Sequence, residues 1–232
     1  MNVFRLAGDM THLLSIVVLL LKIRTTKSCA AISVFVIFDY LSLVPGISLK
    51  TQELYVIVFL TRYLDLFTKY YSFYNTLMKL VFLGTSIAIV WYMRYHKPVK
   101  LTYNKDQDTF RHYFLILSCL ALALLVHRAF FVIEVLWTFS VYLEAVAILP
   151  QLVLVQRFRN IDNLTGNYVF LLGTYRALYI INWVYRFFME NHQVRWIPWV
   201  SGVVQTALYA DFFYYYIKRY FSLSLLPSVF VL

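Results

Sequence analysis

Hydrophobic residues run almost without interruption through seven stretches of the chain, at about 3–22, 53–71, 74–95, 112–128, 132–154, 167–188 and 196–217. Short segments that gather lysine, arginine, asparagine, proline or glycine separate them. A helix needs about 20 mostly apolar residues to cross a bilayer core. The pattern therefore predicts seven membrane-spanning helices, an all-α polytopic protein, with residues 1–232 forming one membrane domain. The connecting segments are too short to hold a separate soluble domain. One break is foreseeable inside a span. Pro150 in "ILPQL" lacks an N–H for the helical ladder and should kink or open the fifth helix there.

Composition agrees. Hydrophobic residues make up 62% of the 232, mean hydropathy is +0.69, and charged residues are only 14%, against about 25% in soluble domains. The net charge of +10 suggests nucleic acid in a soluble protein, but here its distribution gives another reading. Thirteen Lys and Arg lie on the side reached after odd-numbered spans, from Lys22 to Arg219, and four on the other, Lys69, Lys79, Arg128 and Arg195. Cations concentrate on the cytosolic side, so the N-terminus is expected to be lumenal or extracellular and the C-terminus cytosolic, with no nucleic-acid partner. The N-terminus shows no basic n-region or small-residue cleavage site, so the first span is expected to target the chain itself. Cys29 and Cys119 lie near or inside spans, which argues against a disulfide framework. No metal-ligand spacing, activated serine or phosphate loop is evident, so neither an enzyme nor a cofactor is expected.

What remains is polarity inside the spans. Arg62 and Asp65 sit in the run "LYVIVFLTRYLDLFTKYY" at spacing i, i+3, which on a helix places them on one face as partners. On the first span Arg5, Asp9 and His12 share a face. The fifth carries Glu134, Trp137 and Glu144. The sixth carries a stripe of Tyr175, Tyr179, Asn182, Trp183 and Arg186, and the seventh adds Gln205, Tyr209 and Asp211. Intramembrane charges almost always face a bundle interior or a water-filled cavity. Arg5, Arg62 and Arg186 can be placed toward its non-cytosolic end, where arginine's planar fork suits carboxylates. Asp65 and Glu134 supply negative groups, and Trp137 and Trp183 offer faces for an aliphatic or cationic stem. The cavity complements a ligand with several carboxylates and one cation. His12 alone of the five histidines lies in the interior of a span, His112 and His127 standing at the two ends of the fourth, and histidine titrates between compartments of the secretory pathway. "FFYYYIKRYF" at 212–221 reads as an aromatic belt in contact with lipid, followed by the snorkelling cations Lys218 and Arg219.

These residues carry a resemblance. "MNVFRLAGDMTHL", "TRYLDLF", "DTFRH", "LEAVAILPQL", "YRALYIINWVYRF" and "VVQTALYADFFYYY" resemble the KDEL/HDEL receptor family, the ER lumen protein-retaining receptors, with plant members nearest. The resemblance implies a SWEET-like arrangement, two parallel three-helix repeats joined by a linker helix. It implies pH-dependent binding of C-terminal Lys/His-Asp-Glu-Leu tails and their retrieval from the cis-Golgi to the endoplasmic reticulum in coated vesicles, with COPI and COPII coats as partners. By the same resemblance Arg62 and Tyr63 lie near the terminal carboxylate, and Arg5 holds an acidic side chain. Arg186 and Trp183 serve entry and anchoring. Asp65 and Glu134 face the ligand's basic residue, with Trp137 and Tyr179 lining the site. His12, Glu144 and Tyr175 form the proton-sensing network, and Asp211, with Lys218 and Arg219, serves recycling.

Three departures stand out. The stretch "VFVIFDYLSLVPGIS", 34–48, interrupts the junction that "SCAAISLKTQELY" would make. It is flanked by "AAIS" and "PGIS", as though one short junction sequence were repeated, which an alternative splice junction or a faulty gene model explains ahead of a functional insertion. As a helix it would span about 22 Å, short of the roughly 30 Å core, and an added crossing would reverse every later loop against the charge count. It is expected at the cytosolic interface. The tail "IKRYFSLSLLPSVFVL" lacks the lysine-rich end that the resemblance leads one to expect, and Lys69 adds a cation at the lumenal mouth. The competing readings are a receptor variant defective in retrieval because of the insertion and the altered tail, and a small-molecule carrier, because the implied fold and the Pro-Gln pair also suit sugar or amino-acid transport. A sugar site needs hydroxyl and amide groups rather than concentrated arginines.

Overall fold

The computed structural model describes residues 2–29, 46–67, 70, 72–103, 108–157, 163–189 and 196–224. Helices account for nearly all of them: α1 (Val3–Cys29), α2 (Leu49–Arg62), α3 (Phe73–Tyr95), α4 (Lys97–Thr102), α5 (Tyr113–Leu125), α6 (Val132–Val146), α7 (Leu149–Arg157), α8 (Asn163–Met189) and α9 (Trp196–Ser224). A 3₁₀ turn, Tyr63–Phe67, continues α2. Every predicted span has a helix in its place. Three segments are long and apolar enough to cross a membrane unaided by context, Val3–Ile23, Phe73–Tyr95 and Val132–Arg157. The others fall short for physical reasons: α5 is apolar but only 13 residues long, and α2, α8 and α9 carry the polar face of the interior.

Boundaries moved where local chemistry overrides hydropathy. The second span ends its α-helix at Arg62 rather than near 71. The fourth stops at Leu125, because Val126 turns extended at its C-cap. The fifth divides into α6 and α7 across a turn at Ala147–Ile148, as Pro150 leads one to expect.

Packing has an internal symmetry. The helices α1, α2 and α3 form one group, and α6 with α7, α8 and α9 form another. α3 packs on α1 and α2, and correspondingly α9 packs on α6 and α8. Between the groups, α1 lies against α8 and α2 against α6. Exchanging α1 with α6, α2 with α8 and α3 with α9 maps each of these contacts onto another. α5 packs on α6 and has no counterpart, which is the place of a linker between two parallel repeats. The protein is thus an all-α polytopic membrane protein.

Two ends can be distinguished: a near end, where α1 and α3 begin, and a far end, where α2 and α8 begin. Ser48 caps α2 at the far end, its hydroxyl accepting from the Thr51 N–H. The same hydroxyl donates to Asp108 Oδ2 at 2.9 Å, and Tyr103 donates to that oxygen at 2.9 Å. Burial and the adjacent carboxylate raise the Tyr103 phenol above its ordinary range, so it stays a donor. Gln151, next to the helix break, accepts from the Ser48 N–H at 2.8 Å, while its own N–H donates to Thr51 Oγ1 at 3.0 Å. The backbone opened by Pro150 is thereby joined to the start of α2. The stretch 34–48 falls outside the described residues except for its last three, Gly46, Ile47 and Ser48, of which Ile47 and Ser48 are buried.

Candidate functional site

The site is built around one carboxylate. Glu144, on α6 and 3% exposed, accepts from Arg62 Nη1 on α2, from Arg176 Nη2 on α8 at 2.8 Å, and from the Tyr175 hydroxyl at 2.9 Å. Arg62 Nε also donates to Ser140 Oγ at 3.1 Å, and Arg176 Nε donates to Gln205 Oε1 on α9. A buried carboxylate with two guanidiniums leaves the cluster one positive charge in excess. Two of the five N–H donors of Arg62 are engaged in these bonds. Four helices that share no sequence proximity are tied together here.

His12, on α1, stacks on the Tyr175 ring at 4.4 Å between centroids and on Phe82 at 4.5 Å. Behind it, away from the near end, lies a small cavity of about 20 Å³ lined with Ser15, Gln52, Tyr55, Ser86 and Tyr168, room for one water. The predicted trio His12, Glu144 and Tyr175 is therefore brought together, with Tyr175 as the middle member: its ring meets the imidazole and its hydroxyl meets the carboxylate.

Toward the near end a second carboxylate, Asp9, accepts from Tyr74 at 2.8 Å and from Tyr179. A Cβ on Gly8 would lie 2.8 Å from the Tyr179 ring, so only glycine lets this ring lie against α1. Arg5 donates to Asn75 Oδ1 at 3.1 Å, and Asn2 to Asn182 Oδ1 at 2.6 Å. The start of α1 is thus pinned to both α3 and α8.

One expectation fails. Arg62 and Asp65 do not partner each other. The α-helix ends at Arg62 and Asp65 lies in the 3₁₀ turn that follows, and packing brings each a partner from another helix. Arg62 turns to Glu144 and Ser140, and Asp65 accepts from Lys79 Nζ at 2.8 and 2.7 Å. Tyr63 stacks on Phe59 at 5.5 Å. Trp183 lies 6.0 Å from the Arg176 guanidinium and packs on Trp199. Glu134 sits half-buried in the first turn of α6, and Trp137, also half-buried, accepts through its carbonyl from Ser140 Oγ at 2.6 Å. Arg186 is exposed beyond Trp183 on α8, apart from the buried cluster. Lys69 and the side chains of Asp211, Lys218 and Arg219 lie outside the described residues. Cys119 is a buried free thiol.

Sequence reasoning missed Arg176, Ser140, Lys79 and the tyrosine clamp on Asp9. Arg176 lies one residue, about 100°, off the Tyr175 stripe, so the stripe does not include it. The available signal was an arginine deep in a span, which needs a counter-ion.

Comparison with known proteins agrees with this architecture. The family model for ER lumen protein retaining receptors matches residues 43–186. An ER lumen protein-retaining receptor from Petunia hybrida is 65% identical over 220 residues, covering 95% of each chain. Receptor B of Arabidopsis thaliana is 67% identical over 216 residues, 93% of this chain and 94% of that one. The receptor of Drosophila melanogaster is 52% identical over 219 residues, 94% and 95%. With intramembrane arginines gathered on a single carboxylate and identity of this extent to plant relatives, the chain belongs to the ER lumen protein-retaining receptor family.

Proposed function

We propose that this protein binds the C-terminal Lys/His-Asp-Glu-Leu tails of lumenal proteins, more tightly in acid than at neutral pH, and returns them from the cis-Golgi to the endoplasmic reticulum. The observation that carries this reading is the convergence of Arg62 and Arg176 on Glu144. It holds guanidinium in excess at the bundle centre, with N–H donors of Arg62 left to receive a carboxylate. A tail of this kind brings three carboxylates and one cation. The cluster is not a sugar site, which would present hydroxyls and amides without fixed charge. The test is binding of Lys- and His-Asp-Glu-Leu tetrapeptides to purified protein across pH, with a version lacking 34–48 alongside. Saturable, acid-favoured binding supports the reading. Uptake of sugar or amino acid into proteoliposomes without peptide binding replaces it with the carrier.

In this reading the near end is lumenal and the far end cytosolic. Exposed Arg94, Lys97, Lys100, Arg111 and Arg157 crowd the far end, as the positive-inside rule requires. Coat proteins, COPI for return and COPII for exit, would engage that side, and Asp211, Lys218 and Arg219 toward the end of α9 would serve recycling. A check on the orientation is the sequon Asn163-Leu164-Thr165 at the start of α8. Asn163 is exposed at the far end and is expected to stay unmodified. Endoglycosidase-sensitive sugar on Asn163 would invert the topology.

A further inference from the structure

The Asp65 carboxylate is already occupied. Lys79, on the second turn of α3, places its ammonium 2.8 and 2.7 Å from the two oxygens and 5.7 Å from the centroid of the Tyr63 ring. Its side chain is 14% exposed and that of Asp65 31%. A carboxylate below and an aromatic face beside an ammonium are what a bound cationic side chain requires. Here the protein provides that side chain itself. The setting is held firmly on both sides. Tyr63 and Asp65 lie on the same 3₁₀ turn, and the α3 start is capped by Ser72, whose hydroxyl accepts from the Asn75 N–H.

We propose that Lys79 is an internal occupant of the subsite for the signal's cationic residue, and that recognition of this residue is an exchange in which the ligand's cation enters and Lys79 leaves. The proposal rests on the reading of the protein as a receptor for cationic-acidic tails. Its physical logic is charge conservation in a poorly solvated place. Without ligand, Lys79 gives the part-buried Asp65 carboxylate an ammonium at hydrogen-bond distance of both oxygens. With ligand, an unmoved Lys79 would crowd a second cation onto one carboxylate. Lysine's flexible stem lets its ammonium swing toward the open near end, which arginine's planar fork would resist. The ligand's cation then contributes only the difference between two similar pairings, so the acidic residues and terminal carboxylate carry most of the affinity.

The experiment compares Lys-Asp-Glu-Leu with Ala-Asp-Glu-Leu on the full-length protein and on Lys79→Gln. Loss of a positive charge acts alike on the carboxylates that the two peptides share, and that part cancels in their affinity ratio, which leaves the effect on the cationic residue. The exchange predicts that the ratio rises by about fivefold, the scale of a partly exposed ion pair. A ratio that is unchanged or lower overturns it, because Lys79 would then hold Asp65 in place rather than compete. Should Lys79→Gln fail to fold, Lys79→Arg keeps the pair and grips harder, so the ratio is expected to fall toward one; an unchanged ratio overturns the proposal. If the wild-type protein binds neither peptide at any pH, the receptor reading itself fails. If it binds both and the ratio does not respond, the exchange alone is wrong.

Discussion

Arg62→Ala is expected to weaken binding of the acidic tetrapeptide by about 2–5 kcal/mol, the usual loss when one partner of a desolvated charge pair is removed. The structure explains why this variant should still fold. Glu144 keeps Arg176 at 2.8 Å and the Tyr175 hydroxyl at 2.9 Å, so the buried carboxylate retains a counter-ion and a donor. The loss should therefore fall on the ligand. Arg62→Lys should also bind poorly, because the guanidinium reaches Glu144 and Ser140 with separate nitrogens, a fork that one ammonium cannot copy. Titration calorimetry of both variants decides the matter. Near-native affinity in Arg62→Ala removes this residue from the site.

His12→Asn is expected to flatten the pH profile of binding, holding affinity near the wild-type neutral value at every pH. The imidazole is 8% exposed and stacked between Phe82 and Tyr175. Glu144 from α6, Arg62 from α2 and Arg176 from α8 exert their fields on it. A change of charge at His12 is thus transmitted to the Glu144 cluster through Tyr175, which touches both. Binding that takes up one proton loses at most tenfold in affinity per pH unit, about 1.4 kcal/mol, as pH rises. For a histidine that fall lies at about pH 6 to 7.5. Asparagine keeps a polar group and cannot titrate. Peptide affinities of both proteins at several pH values test this. A His12→Asn protein that binds with the full wild-type slope places the sensor elsewhere.

Much of the architecture was legible because the two strongest sequence signals, apolar run length and buried charge, have single physical causes. The bilayer fixes the first and the scarcity of water the second. Pro150 announced the division of the fifth span, and the Tyr175 stripe announced the face of α8 that meets α1. What stayed hidden depended on geometry between elements. The Arg62–Asp65 pairing failed because nothing in "TRYLDLF" declares that packing brings Glu144 of α6 to Arg62 and Lys79 of α3 to Asp65. Lys79 reads as an ordinary loop-side cation until α3 carries it back against Asp65. Arg176 is off the stripe by one residue, yet that offset lets it bridge Glu144 on α6 and Gln205 on α9. Pairings across 29 to 82 positions of sequence are a property of the packed bundle and cannot be read from local spacing.

The cap at the start of α2 has a consequence for engineering. Among the described residues just before Leu49, the bundle engages Ser48 through its hydroxyl and N–H, Ile47 by burial, and Gly46 through its carbonyl, which accepts from Gln151 Nε2 at 3.3 Å. The chain spells Ile-Ser twice, at Ile32-Ser33 and at Ile47-Ser48. Cutting out 34–48 would bring Ser33 into the capping position, Ile32 into the buried one and the Ala31 carbonyl opposite Gln151. Closing a longer connection costs only about 0.6 kcal/mol per doubling of its length. An epitope, a fluorophore-binding peptide or a small reporter domain placed between α1 and α2 should therefore end in Ile-Ser, so that the helix cap and the buried contact are rebuilt at the start of α2.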